Sequence, residues 1–94
     1  MFILIAYDVA TSDKAGARRL RRVARACQDY GQRVQNSVFE CHVDAHQWTL
    51  LRDRLVCEIN LKEDALRFYF LDRDVNVENH GCKHPVDLEA PLIF

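Results

Sequence analysis

Asp8 closes the apolar run Phe2-Ile3-Leu4-Ile5-Ala6-Tyr7, and only Val9 and Ala10 follow before polar residues begin. A carboxylate at the exit of a buried strand has a rigid support and a head near solvent. From there it can ligate a metal or move a proton. The segment after it is strongly basic: Lys14, Arg18, Arg19, Arg21, Arg22 and Arg25 fall close together with no acid between them. Guanidinium groups pair with phosphate oxygens in a bidentate fork. Such contacts position a nucleic-acid backbone without reading bases, and they weaken as salt rises. A carboxylate followed by arginines therefore suits chemistry on phosphodiesters. Plainer readings stand beside this one, with Asp8 capping a turn or the first helix and the arginines forming a solvated helix face.

The charge distribution favours a localised polyanion contact. Six of the 13 basic residues lie between Lys14 and Arg25 with none of the 14 acids, so acids outnumber bases two to one elsewhere. The net charge of −1 hides one basic helix on an acidic body. His80, Cys82 and His84 form a cluster of metal-ligand types, and Cys41, His42 and His46 form another. Neither has the paired spacing of a structural zinc site. Four well-separated cysteines, Cys27, Cys41, Cys57 and Cys82, suit reduced thiols and a cytoplasmic protein. The short N-terminal apolar run lacks a basic leader, and no stretch approaches the ~20 apolar residues of a membrane span, so no membrane association is expected.

The elements that position these residues follow from periodicity. At 94 residues the chain makes one domain, 1–94. Residues 2–9 are apolar on both faces and form a central strand. Thr11-Ser12-Asp13 offers caps for a helix over about 13–29, whose inward stripe is Leu20, Val23, Ala24 and Cys27. Gly31 is expected as its left-handed C-terminal cap. Residues 33–43 alternate as a strand, with Arg33, Gln35, Ser37, Phe39, Cys41 and Val43 on one face. Asp44 to Gln47 matches a capping box for a helix over about 45–58, which turns Trp48, Leu51, Leu55 and Ile59 inward. An aromatic strand covers 65–71, and a weaker one covers 75–79. The fold class is α+β, a ferredoxin-like βαββαβ sandwich with an antiparallel sheet backed by two helices. The apolar ending Pro91-Leu92-Ile93-Phe94 must be buried, either on its own sheet or as a short strand added to a partner's edge.

Three features together resemble the CRISPR-associated protein 2 family. They are Tyr7-Asp8-Val9 at the end of the first strand, the arginine-rich helix, and Gly31-Gln32-Arg33-Val34-Gln35-Asn36-Ser37-Val38-Phe39-Glu40. The resemblance covers nearly the whole chain, and the tail Asp87 to Phe94 looks like the endings of one branch in which a terminal strand crosses to the other subunit. It implies a homodimer in which the two Asp8 carboxylates face each other and share one Mg2+, with the tail, about 82–94, as a dimer or partner contact. It further implies metal-dependent cleavage of single-stranded RNA or double-stranded DNA, and partnership with the CRISPR integrase in spacer acquisition, supporting the DNA duplex. Mapped by the motif, Asp8 is the metal carboxylate, Tyr7 its neighbour, Phe39 the strand aromatic tied to activity and Arg33 the motif arginine. Arg18 and Arg19 match the helix arginines, with Arg21 or Arg22 as substitutes, and Lys14 matches the basic turn residue. Taken as residues alone, Tyr7 and Phe39 fit a base-stacking role or a place in the core, and Arg33 fits a phosphate clamp or an ion pair. A magnesium ion takes one or two carboxylates, so Asp8 needs its symmetry copy. Two other functions stay open: a structural nucleic-acid-binding dimer without catalysis, and an RNA-cleaving toxin of the same fold.

Overall fold

A computed structural model of the chain describes residues 1–71 and 76–82. The expected tail contact over 82–94 lies outside the described residues from 83 onward. Two helices and five strands are described, in the order β1 (Phe2–Asp8), α1 (Lys14–Tyr30), β2 (Gly31–Gln35), β3 (Val38–His42), α2 (Ala45–Glu58), β4 (Ala65–Phe70) and β5 (Asn76–Gly81). The strands form one sheet in the order β2-β3-β1-β4-β5, with every neighbouring pair antiparallel. This is the expected ferredoxin-like sandwich with β5 added at one edge.

β1 occupies the centre of the sheet because its alternate residues are all apolar. Ile3, Ile5 and Tyr7 turn toward the helices and are buried, while Phe2, Leu4 and Ala6 line the outer face and are half-buried. Cross-strand register extends the inner row through Phe39 and Cys41 of β3 and through Leu66 and Phe68 of β4. Val23, Ala26 and Cys27 of α1 and Trp48, Leu51 and Leu55 of α2 close over this row as the core. Trp48 meets Phe68 and Phe70 edge-on, with ring centroids 4.8 and 5.5 Å away.

Residues 33–43 are two strands rather than one. The chain reverses at Asn36-Ser37, and a register shift between Arg33 and Gln35 places an extra residue in β2. That reversal supplies the ββ step of the βαββαβ order. Gly31 also differs from expectation. Its φ of −156° is extended, and it begins β2 instead of capping α1 in the left-handed region. Glycine is required there for space, since a Cβ would come within 2.3 Å of the Glu40 carbonyl oxygen and 2.4 Å of Cys41 Sγ. The two N-caps form as expected. Asp13 accepts from Gly16 N at 2.7 Å, and Asp44 and Gln47 exchange both capping-box bonds.

Candidate metal carboxylate and nucleic-acid interface

Strand alternation decides where Asp8 sits. Tyr7 faces the helices, so Asp8 faces the outer side of the sheet, exposed and opposite Ala65 in register. The backbone just beyond it is held tightly. Ala10 N donates to Asp64 Oδ1 at 3.0 Å, and Asn60 N donates to Asp64 Oδ2 at 2.8 Å. Arg19 grips the same carboxylate with two nitrogens, Nε to Oδ2 at 2.8 Å and Nη2 to Oδ1 at 3.3 Å. The Asp64 carbonyl accepts from Cys82 N at 3.0 Å. One fully buried aspartate thus joins the exit of β1, the body of α1, the turn before β4 and the end of β5. Burial alone would raise the Asp64 pKa. The Arg19 guanidinium and the two backbone N–H groups outweigh burial and hold it below its ordinary value.

Tyr7, Phe39 and Arg33 gather on the other side of the sheet from Asp8. The Tyr7 and Phe39 rings stack with centroids 6.1 Å apart, and Phe39 has no exposed surface. The exposed Arg33 lays its guanidinium carbon 5.1 Å from the Phe39 ring centroid. The Tyr7 hydroxyl donates to the Asn36 carbonyl at 3.4 Å. Its pKa is pushed up to about 12, first by burial and then by nearby Cys27. Within one chain the four residues mapped as catalytic therefore do not converge. Tyr7 and Phe39 are core aromatics that brace the β1–β3 pairing. Among the described residues no three His, Cys, Asp or Glu side chains lie close enough to hold a metal ion. A magnesium ion takes one or two carboxylates and completes its shell with water and phosphate oxygens, and Asp8 supplies one such carboxylate.

The six basic residues of the first helix separate into two groups. Arg18, Arg21, Arg22 and Arg25 recur at helical spacing and are exposed along one stripe. Together with Arg54 and Glu58 of α2 they line an open groove of about 580 Å³. Lys14 is exposed at the first position of α1. Arg19 instead shares the inward stripe with Val23 and Ala26, and its side chain keeps only 17% exposure beside Asp64. Its phosphate-binding capacity is committed to an internal carboxylate. At the far edge, Glu78 Oε2 accepts from Arg52 Nε at 2.9 Å and meets His80 Nε2, which ties β5 to α2. Burial would raise the Glu78 pKa, but Arg52 and then His80 bring it below its ordinary value.

Asp64, Arg54 and Arg67 did not stand out in the sequence. Arg19 occupies an inward position, and Asp64 directly precedes an apolar strand; those two facts are the available signal for their pairing. Arg67 is buried on the outer sheet face, where its Nη1 donates to the Tyr69 hydroxyl at 3.3 Å. Reading β4 as a strand rich in aromatics passes over it.

An antiparallel sheet covered by helices on one side, with a carboxylate ending its central strand on the other, is a ferredoxin-like scaffold. Residues 1–78 match the family described as CRISPR associated protein Cas2. The chain belongs to that family. It is 56% identical to the CRISPR-associated endoribonuclease Cas2 of Chlorobaculum tepidum, over the whole of both chains. It is 54% identical to the CRISPR-associated endonuclease Cas2 of Halalkalibacterium halodurans, again over the whole of both. A crystal structure of Streptococcus pyogenes Cas2 superposes with a TM-score of 0.71 at 50% identity, covering 79% of this chain and 89% of that one.

Proposed function

We propose that this chain works as a homodimer that holds nucleic acid for the CRISPR integrase during spacer acquisition and cleaves phosphodiesters with a Mg2+ ion shared by two Asp8 carboxylates. The observation that carries this reading is the placement of Asp8, exposed on the sheet face that the helices leave open. Two copies meeting through that face about a two-fold axis can bring their carboxylates together. When bound, the metal supplies a water of lowered pKa and charge stabilisation at the phosphate. Asp8 holds the site. Asp64 and Arg19 fix the backbone on which Asp8 stands. The arginine stripe holds the backbone of the substrate. The endoribonuclease and endonuclease names of the two relatives support the hydrolytic part of the reading.

An Asp8→Ala variant tests this against both single-stranded RNA and duplex DNA, with and without Mg2+. Cleavage is expected to vanish while binding stays near wild type. Cleavage that persists in freshly purified variant overturns the shared-metal mechanism. A second reading, nucleic-acid holding without catalysis, is favoured by one observation: the arginine groove lies on the helix layer, away from Asp8. Under it, Asp8→Ala leaves spacer acquisition in cells intact.

A further inference from the structure

We propose that Asp64 and Arg19 are positioning residues for Asp8, and that Arg19 serves cleavage through the Asp64 carboxylate rather than by contact with phosphate. This rests on the hydrolytic reading above, and it departs from the motif, which sets Arg19 among the residues that bind nucleic acid. The helix register carries the difference. Arg18, Arg21, Arg22 and Arg25 are exposed, whereas Arg19 lies on the stripe of Val23 and Ala26. Two of its nitrogens are held by Asp64 in a charge-assisted fork, at 2.8 and 3.3 Å. Its Nη2 also stands 3.5 Å from Glu63 Oε2. A phosphate arriving at Arg19 would meet two carboxylates as well as the guanidinium, and their like charge opposes it.

The link to Asp8 runs through the backbone just after it. Asp64 Oδ1 accepts from Ala10 N at 3.0 Å. On its other side the Ala10 carbonyl abuts Gly16, where a Cβ would come within 1.9 Å of the oxygen. Val9, between Asp8 and Ala10, is buried in the core. The chain leaving Asp8 is thus held at an N–H, a carbonyl and a side chain, which leaves Asp8 mainly its own side-chain torsions. The clamp is itself fixed from behind. Asp64 N donates to the Asn60 carbonyl at 2.8 Å, and the Asp64 carbonyl accepts from Cys82 N at 3.0 Å. Gly81, at a φ of 113°, packs against that same carbonyl, where a Cβ would lie 1.8 Å from the oxygen. A misplacement of about 1 Å at a reacting site costs on the order of a hundredfold in rate. The Asp64–Arg19 clamp therefore bears on kcat, while the exposed arginines bear on affinity.

Three readouts on the full chain test this: steady-state cleavage of single-stranded RNA with Mg2+, RNA binding titrated with salt in the absence of Mg2+, and amide hydrogen exchange at Ala10. Arg19→Ala and Asp64→Asn should each lower kcat on the order of tenfold to a hundredfold. Both should keep the wild-type Kd and salt slope. Both should lose Ala10 amide protection on the order of tenfold, the worth of one hydrogen bond. Arg21→Ala should do the reverse, weakening binding and lowering the salt slope by about one at unchanged kcat. Rates are taken at a temperature where circular dichroism shows each variant folded, and Arg19→Ala carries all three readouts should Asp64→Asn fail to fold. Weaker binding and a lower salt slope in Arg19→Ala, with kcat and Ala10 exchange at wild-type values, would assign Arg19 to phosphate and overturn the inference while the hydrolytic reading stands. Wild-type kcat in both clamp variants beside an inactive Asp8→Ala overturns it in the same way. Cleavage that persists in Asp8→Ala, or is missing in the wild type, removes both.

Discussion

Asp64 is the residue on which the candidate site depends most, although it touches no substrate in the proposed reaction. Its carboxylate has no exposure and accepts from Arg19, Ala10 and Asn60. Removing one partner of a buried, hydrogen-bonded ion pair strands the other. Asp64→Ala is expected to cost about 3 kcal/mol, the lower end of that range because Arg19 reaches solvent at its edge. A chemical denaturation series checks this, and a loss within ordinary surface scatter would show that the hub is dispensable. The pH dependence has a definite sign. The folded pKa of Asp64 lies below its ordinary 3.8, so its contribution is complete above that value and is lost as pH falls through the lower, folded one. Stability of the wild type should therefore drop more steeply below about pH 4 than that of Asp64→Asn, measured by melting at a series of acid pH values.

At the scale of elements, the two junctions flanking α1 are set by close approach. Gly16 lets the helix start against the Ala10 carbonyl, where a Cβ would meet the oxygen at 1.9 Å. Gly31 lets β2 leave the helix end directly beside β3. Gly31→Ala should destabilise the fold by roughly 1–3 kcal/mol through steric crowding alone, since its extended φ suits alanine. Thermal melts check the loss. A neutral result would mean that the hairpin shifts to make room. These junctions also show what the sequence could convey. Helix α2 was legible to the residue, because its capping box and inward Trp48, Leu51 and Leu55 are local signals. The β2–β3 turn was not. Alternation continues across Asn36-Ser37, and the extra residue near Val34 restores the apparent phase, so a hairpin looks like one strand. Asp8 was legible as a strand-end carboxylate. The Arg19–Asp64 pair spans 45 residues of sequence and depends on tertiary packing. Tyr7 sits on the opposite side of the sheet from Asp8 by strand alternation, which is a local signal, and Phe39 joins it there through the β1–β3 pairing.

For the whole molecule, the layers divide the work. The helix layer carries the arginine groove, and the outer sheet face carries Asp8 among half-buried apolar residues. If that face joins two copies, as proposed, a charge placed on it should dissociate them without unfolding either. Leu4 is suited to the test, since it lies mid-strand on the outer face, half-buried, with Glu40 and Tyr69 beside it in register. Leu4→Lys gives the new ammonium Glu40 as a neighbour within its own chain. Across a two-fold axis, however, it sets like charges against each other, at a cost on the order of several kcal/mol. Sedimentation should then report a monomer where the wild type gives twice the chain mass, and cleavage should fall with the loss of the second Asp8. Nucleic-acid binding by the arginine stripe should keep most of its salt slope, because each chain carries its own arginines. Restored cleavage at high protein concentration would tie activity to the dimer directly. Full cleavage by a demonstrated monomer would show that Asp8 acts without its copy, and with it the shared-metal arrangement would have to be abandoned.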